Sequence, residues 1–576
     1  MIILGIHDGH NSGATLLDNG YIVASVSEER LTRNKNEVGY PRSSIDEVLR
    51  LGKISPDEVS SIVYASNFMH SREHLLNAGS WYKASKAEQI FESNREKSYL
   101  KGIFDLRKRE RIEQVLSHLG GEEGRVSFVE HHLAHAAAAF YGSSYSFDQP
   151  TLILTCDGAG DGLSATVSIG RDHKIERISS TSREASLGKV YSRVTYSLGL
   201  TPWEHEYKVM GLAPYAEQER SMKLSQVFRE LVTIGDDGLS FKMAGDIESS
   251  FTYSFLRDRL ERKRFDEVSG AIQFYTEDLL CEWVQKCVEK TGIRRLVCGG
   301  GVFMNVKANM HISQLECVDE IFVFPSCGDE SLSFGAVWYD YYNNQQSTKT
   351  STKTVPEKIY FKDACLGASF DSDEIMKAIN EVIPGTGCNV EVYKDIESEI
   401  ANRLSDNNVV ARFSGRMEWG ARALGNRSIL ANPKDWRNVE KINSMIKMRD
   451  FWMPFAPSMM ADKQSKYLVN PKNITSQFMM FAYETLPLAQ EHLGAAIHPR
   501  DRTARAQFVS PDINPSYYKL LSAFEEKTGQ SAVLNTSFNL HGFPLVNSPH
   551  DALEVFLKSG LDCLSLENVL ITKPSL

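Results

Sequence analysis

Short apolar runs at 2–6, 14–17 and 21–26 open the chain, the first two divided by a polar loop and the last two by Asn19-Gly20. Asn-Gly suits the left-handed backbone of a tight hairpin, so the pattern predicts a β-meander of three strands. A strand of the same character at 151–155 runs into Asp157-Gly158-Ala159-Gly160-Asp161-Gly162, and another strand begins at Leu163 or Ser164. The two stretches repeat one plan: strand, acidic glycine loop, strand. Helical spacing of apolar residues at 43–51, 100–119 and 268–291 fills the intervals, and a strand at 295–298 enters Gly299-Gly300-Gly301. A last strand at 321–324 leads through Gly328-Asp329-Glu330 to a helix at 331–342. The alternation predicts an α/β fold that is duplicated within its N-terminal part, with a nucleotide cleft between the halves. No literal sequence repeat accompanies it.

The polar run at 343–354 holds no apolar residue that could anchor it in a core, and it divides the chain into domains at 1–342 and 357–576 joined by a linker at 343–356. Two domains suit 576 residues, more than one core ordinarily organises. Hydrophobic and charged contents of 42% and 24% are those of an ordinary globular protein. A net charge of −10 argues against whole-surface attraction to nucleic acid or anionic lipid, while leaving room for a local basic patch. Nine cysteines, an odd number with no CxxC pair, fit reduced thiols in a cytoplasm. The apolar start is broken by His7 and Asp8, and no run approaches eighteen apolar residues, so neither export nor membrane insertion is expected.

Two histidines four apart on a helix share one face, which lets both imidazoles reach one cation. His131 and His135 have this spacing, and so do His70 and His74. About 0.4 such pairs are expected by chance from 15 histidines in this length, so spacing alone decides little. His70-Ser71-Arg72-Glu73-His74 matches a zinc-peptidase pattern but lies in a polar stretch with no acidic glycine loop beside it, and reads as a solvated helix face. For His131 and His135 the context is different. Asp157 and Asp329 each stand at the end of a strand, where α/β folds place their ligands. The mixed set His131, His135, Asp157 and Asp329 suits iron(II), zinc or manganese, and ligand type alone does not choose among them.

No Walker-type phosphate loop is present. The glycine runs 158–162 and 299–301 could bring backbone N–H groups close to phosphate oxygens, and two such runs beside acidic residues in a duplicated α/β domain favour the fold of actin, sugar kinases and the heat-shock ATPase. In the C-terminal part, Arg416, Arg422, Arg427, Lys447, Arg449 and Arg505 fall in loops flanked by glycine and apolar residues. Guanidinium forks fit phosphates, and two polyanionic substrates can share one pocket only where cations converge.

A specific resemblance now becomes visible along most of the chain. Gly9-His10-Asn11-Ser12-Gly13, Ser27-Glu28-Glu29-Arg30-Leu31-Thr32-Arg33, the histidine helix, Asp157 to Gly162, Glu206-Tyr207-Lys208-Val209-Met210-Gly211, Gly299 to Asn305, Gly415 to Leu430, Pro454-Phe455-Ala456-Pro457, Thr503 to Gln507 and Asn535-Thr536-Ser537 occur in order. The sequence resembles the NodU/CmcH O-carbamoyltransferases. The resemblance implies a duplicated actin-like ATPase (ASKHA, TsaD-like) domain followed by a YrdC-like α/β domain, with Lys447-Met448-Arg449 similar to a YrdC signature. Ala421, Met453 and Tyr207 depart from residues frequent in relatives, and Met453 removes one phosphate contact and leaves Arg449 for that task.

The resemblance further implies ATP with Mg2+ and carbamoyl phosphate as substrates, a carbamoyl adenylate as intermediate, and a small-molecule hydroxyl as acceptor. It assigns Lys447 and Arg449 to adenylate formation. Arg416, Arg422, Arg427, Arg505, Asn535 and Ser537 are assigned to binding in the C-terminal domain, and Gly300, Gly301, Asn305 and Lys208 to binding in the N-terminal one. His10 is the expected general base for the alcohol, with His7 as the nearby rival for that role. No nucleic acid or membrane partner is expected, and a homodimer is compatible with the sequence. Two other readings stay open at this stage: a tRNA threonylcarbamoylation-type enzyme, and an actin-fold ATP-binding module without group transfer.

Overall fold

The computed structural model describes residues 1–76, 82, 96–347 and 358–574. The opening apolar runs form a meander of β1 (Ile2–His7), β2 (Gly13–Asp18) and β3 (Tyr21–Ser27), with Asn19 in the left-handed turn conformation at φ 49°. β1 pairs in parallel with β4 (Ser61–Ala65), and β4 with β5 (Val126–Val129), giving the order β3-β2-β1-β4-β5. The chain then builds the same sheet again. β6 (Thr151–Gly160), β7 (Leu163–Arg171) and β8 (Lys174–Ser182) form the second meander. A small ribbon of β9 (Val232–Ile234) and β10 (Phe241–Met243) follows. β6 pairs in parallel with β11 (Arg295–Gly299), and β11 with β12 (Glu320–Val323), giving β8-β7-β6-β11-β12. Strand for strand the two orders agree, so the repeated plan in the sequence is a duplicated architecture.

Each sheet hands over to a helix at its parallel side: His131–Gly142 after β5, and Leu332–Ser347 after β12. The first of these is buried all round, including Ala134 and Ala136 to Ala139, and its small side chains let the second helix approach closely. A Cβ added to Gly335 would stand 1.8 Å from the Ala134 carbonyl oxygen, so glycine is required there. The crossing fixes the N-terminal ends of the two helices, and hence His131, His135 and Asp329, in one place.

The second helix runs to Ser347, so Asn343 and Asn344, assigned to the linker from the sequence, are helical; Asn344 Nδ2 donates to Asp340 Oδ2 at 3.2 Å, one turn back. Residues 348–357 of that linker lie outside the described residues. Beyond them the chain still belongs to the N-terminal unit. The Lys358 ammonium meets the carbonyls of Phe140 and Tyr145 and the Ser143 hydroxyl at the end of the histidine helix, and Phe361 N–H donates to Gly142 O at 2.9 Å. The first compact unit is Met1–Glu28 with Asn36–Phe361, and the second is Glu29–Lys35 with Lys362–Leu576.

The second unit is built on a mixed sheet of β13 (Asn389–Val392), β14 (Val410–Phe413), β15 (Arg427–Ala431), β16 (Ala456–Met460), β17 (Gln507–Val509), β18 (Ala532–Ser537), β19 (Cys563–Leu566) and β20 (Val569–Thr572). Its order is β13-β20-β19-β14-β15-β18-β16-β17. Alternate side chains serve opposite faces. Ala411, Ile429 and Leu564 join one apolar core with the helices Ser372–Val382 and Pro549–Lys558, while Val410, Leu430 and Cys563 join another with Ile396–Ser405 and Pro515–Thr528. Among the described residues no helix is long and apolar enough to cross a membrane.

The packing has a direct test. Gly335→Ala is expected to destabilise the protein by about 1–3 kcal/mol through overpacking against Ala134. Gly102→Ala, on an exposed helix position with nothing within 4 Å of the new Cβ, is expected to stabilise by roughly 0.5–1 kcal/mol. Urea unfolding midpoints of the two variants check both signs.

Candidate functional site

The histidine helix begins at a well-capped end. The Glu130 side chain accepts from His132 N–H (3.0 Å) and Leu133 N–H (2.9 Å), and Asp161, in the loop after β6, accepts the N–H of His131 at 2.9 Å. Four donor-bearing side chains then converge. One ligand atom from each of His131, His135, Asp157 and Asp329 lies within 4.8 Å of all the others. His131 Nε2 is 3.3 Å from Asp157 Oδ2 and 3.6 Å from Asp329 Oδ1, and His135 Nε2 is 3.7 Å from Asp329 Oδ1. The outer nitrogens face hydroxyls, Ser66 Oγ at 2.9 Å from His131 Nδ1 and Ser331 Oγ at 3.4 Å from His135 Nδ1, which orient the rings with Nε2 inward. Asp157 is held by Gly301 N–H on Oδ1 at 2.8 Å. Gly160 has no Cβ where the His131 ring stands, at 2.0 Å from where that atom would be.

The electrostatics demand a positive charge. Burial pulls the His131 value down, but Asp329 and the hydrogen-bonded Asp157 outweigh it and raise it to about 9. Burial likewise opposes the charge on Asp157 and Asp329, and the histidines hold both below the ordinary carboxylate value. His135 Nε2 is buried with no hydrogen-bond partner. An orphaned imidazole nitrogen aimed at carboxylates is what a divalent cation would satisfy, so these residues fit the metal that the resemblance implies. His132, between the two ligand candidates, is different: its Nδ1 meets Thr155 Oγ1 at 2.8 Å, and burial depresses its value far below that of ordinary histidine.

His7 ends β1, and His10 lies in the loop that follows it. His7 is fully buried, its Nε2 lies 4.0 Å from Asp329 Oδ2 and donates to His10 O at 3.0 Å. The half-buried His10 packs its ring edge against Trp203 at 5.5 Å. Thus His7 adjoins the cluster, and His10 is one contact further away. Gly300 N–H is committed to Cys327 O (2.9 Å) and Gly301 N–H to Asp157, so both amides serve the cluster's own frame. Asn305 caps the helix Val306–Gln314 and pairs its amide with Gln273 at 2.9 and 3.0 Å. Lys208 is half-buried on the helix Glu206–Leu212 and belongs to neither the cluster nor the pocket described next. Only His74 of the other histidine pair lies on a helix, Arg72–Leu76. His70 stacks on it at 4.3 Å, and burial together with the charges of His74, Arg183 and Arg107 lowers His70 to about 4.

In the second unit the geometry separates the arginines into two groups. Arg422, Arg449 and Arg505 line one pocket together with Asn535, Thr536 and Ser537. Arg449 lies over the Phe455 ring and donates to Thr536 Oγ1 at 3.2 Å. The pocket's amide is fixed by a chain of contacts. Gln507 Nε2 donates to Leu424 O (2.8 Å), leaving Oε1 to accept from Asn535 Nδ2, which also donates to Ala423 O at 3.0 Å and to Ser458 Oγ at 2.9 Å. Asn535 Oδ1 is thereby left buried without a partner. Lys447 stands behind this wall, its ammonium reaching Ser537 O, Ser537 Oγ, Asn539 O and Asn539 Oδ1 within 3.2 Å.

Arg427 and Arg416 belong to the second group and do not line the pocket. Arg427 is wholly buried, stacks on Phe413 at 3.5 Å and donates to the carbonyls of Ser414, Asn426, Ala368 and Gly415. Arg416 donates to Gly367 O and Leu366 O. Both tie loops together, because a guanidinium has enough donors to satisfy several backbone carbonyls at once.

Comparison with known proteins gives these sites a context. The family described as Carbamoyltransferase N-terminus matches residues 2–338, and that described as Carbamoyltransferase C-terminus matches residues 401–573. The chain belongs to the carbamoyltransferase family. Nodulation protein NolNO of Sinorhizobium fredii is 31% identical over 98% of this chain and 79% of its own length. An uncharacterized protein of Methanocaldococcus jannaschii is 30% identical over 99% and 100% of the two chains. Among solved structures, component A of the Acidaminococcus fermentans (R)-2-hydroxyglutaryl-CoA dehydratase aligns over 60% of this chain and 99% of its own, with 14% identity and a TM-score of 0.34.

For a carbamoyltransferase the structure adds residues that spacing did not reveal. Ser66 and Ser331 orient the histidines, and Glu418 organises the arginine loop: its Oε1 accepts N–H groups from Leu424, Asn426 and Arg427 at 2.7–3.1 Å. Glu418 was legible only as a carboxylate in an apolar motif. Titration calorimetry with Mn2+, Zn2+ and anaerobic Fe2+ is expected to find one site, lost in His135→Ala and retained in His74→Ala. Ser66→Ala is expected to weaken it roughly 10- to 100-fold, as removal of an orienting hydroxyl does.

Proposed function

We propose that this family member uses ATP and carbamoyl phosphate to carbamoylate a hydroxyl group of a small molecule. The observation that carries the reading is the convergence of Arg422, Arg449 and Arg505 on one pocket beside a buried, unpartnered amide oxygen of Asn535. Three guanidinium groups suit phosphate oxygens. The amide oxygen is an acceptor, and carbamoyl phosphate is a phosphate that also carries an N–H donor. A phosphoryl group carrying no proton would leave that acceptor unsatisfied, at a cost of about 1–3 kcal/mol.

In this reading carbamoyl phosphate is hydrolysed to carbamate and phosphate in the second unit. A carbamate oxygen then attacks the α-phosphorus of ATP and releases pyrophosphate. The arginines hold the phosphates of both reactants against their mutual repulsion, and Lys447 fixes the wall that carries Ser537. In the first unit the alcohol attacks the carbamoyl carbon of the adenylate, AMP leaves, and the hydroxyl proton passes to the His10 imidazole. His131, His135, Asp157 and Asp329 would hold a divalent cation, which when bound supplies Lewis-acid stabilisation of negative charge on phosphate and carbamoyl oxygens. His7 keeps the His10 loop in place through the His10 carbonyl.

Exchange of labelled pyrophosphate into ATP, dependent on carbamoyl phosphate, tests the first half. Arg449→Ala and Arg505→Ala are expected to raise KM for carbamoyl phosphate by about 10- to 100-fold, the worth of a charged hydrogen bond. Arg427→Met is expected instead to lower the melting temperature, because it orphans buried carbonyls. His10→Asn is expected to spare exchange and abolish transfer, read as a mass gain of about 43 units on hydroxylated acceptors; transfer at the normal rate would remove His10 from the mechanism.

A further inference from the structure

Residues Glu29–Lys35 belong to the C-terminal unit although the chain on both sides of them belongs to the N-terminal one. Glu28, the residue before them, is anchored in the first unit, where its carboxylate accepts the N–H groups of Ser43 and Ser44 at 3.0 and 2.6 Å. The segment therefore forms a strap, tethered at both ends and packed onto elements more than 380 residues further along the chain.

The strap's inner residue is Arg30, 5% exposed, on the short helix Glu29–Thr32. Its Nη2 donates to Gly420 O at 2.7 Å, and its Nη1 lies 3.2 Å from Glu29 Oε1. Arg33 fastens the outer end, donating to Leu545 O at 2.6 Å and Pro544 O at 3.2 Å. Gly420 lies in the irregular connection between β14 and β15, and the next three residues, Ala421, Arg422 and Ala423, line the arginine pocket. Two backbone anchors flank Gly420 in this connection. Trp419 N–H donates to Ala364 O at 2.7 Å before it, and Glu418 gathers three N–H groups after it. Arg30 acts at Gly420, between these two anchors, where the backbone turns towards the pocket.

We propose that Arg30 is a positioning residue for the anion pocket: by holding the Gly420 carbonyl it determines where the Arg422 guanidinium stands. The proposal rests on the reading of that pocket as the carbamoyl phosphate site. A buried guanidinium bonded to a carbonyl is a stiff restraint, since releasing it would leave both groups unsatisfied. Displacement of a binding group by about 1 Å is enough to matter for a phosphate clamp.

The test is carbamoyl phosphate-dependent pyrophosphate exchange in the full chain. Arg30→Met, which keeps bulk and removes the donors, raises KM for carbamoyl phosphate roughly 10- to 100-fold. Arg30→Lys, which keeps one donor, gives a value between this and wild type. Adding Arg30→Met to Arg422→Ala costs no more than Arg422→Ala alone, because the first residue acts through the second. A wild-type KM in Arg30→Met, or losses that multiply in the double variant, overturns the proposal. If Arg30→Met does not fold, Arg30→Lys decides: a raised KM upholds the proposal and a wild-type KM overturns it. If Arg422→Ala and Arg449→Ala both leave KM unchanged, the reading of the pocket has failed, and the proposal fails with it.

Discussion

Everything in the N-terminal unit that bears on chemistry depends on the backbone contact between two helices at Ala134 and Gly335. His131 and His135 start one helix, and Asp329 stands just before the other, nearly two hundred residues later. Neither sequence distance nor local propensity brings them together. Removal of a side chain at Gly335 and the run of alanines on the facing helix do, because they let two helix axes approach until the helix ends share a space. Asp157 enters from the duplicated sheet, at the end of the strand that β11 flanks. The cluster is thus a product of the duplication, with donors from both halves.

The duplication also shows how one backbone position can be used in two ways. Asp8 follows β1 in the first half much as Asp157 ends the regular pairing of β6 in the second. Asp8 receives two hydrogen bonds from the buried Arg111, at 2.8 and 2.9 Å, and that guanidinium lies over Tyr64 and also donates to Ser66 O. Its charge is fully matched inside the protein. Asp157 has no guanidinium; it faces imidazoles, whose charge can be exchanged for that of a metal. A buried carboxylate must be neutralised in either case. A permanent partner makes a structural anchor of the first, and an exchangeable one makes a ligand candidate of the second.

Much of this was legible in the sequence. The meanders, the repeated strand-loop-strand plan and the histidine helix followed from period-2 and period-3.6 patterns and from Asn19-Gly20. The four cluster residues could be named because carboxylates at strand ends and histidines four apart have few structural uses in common. The end of the last helix of the first unit was missed because Asn343 and Asn344 look like linker residues, while a helix already formed extends through them at little cost. The placement of Glu29–Lys35 was not legible at all. Its charged residues look like a solvated turn, and distant groups, the Gly420, Pro544 and Leu545 carbonyls, give Arg30 and Arg33 their task.

The arginines show where sequence reading stops. Arg422 and Arg427 sit in one motif, five residues apart, with similar glycine and apolar flanks, and nothing local tells them apart. Their acceptors do. Arg427 spends Nη1 and Nη2 on carbonyls of its own unit, so its charge is screened by fixed dipoles and its task is to hold loops. Arg422 instead lines a pocket together with two other guanidinium groups, those of Arg449 and Arg505. The pocket arginines Arg422, Arg449 and Arg505, and not the loop-tying Arg427 and Arg416, are therefore the ones on which the proposed phosphate site rests.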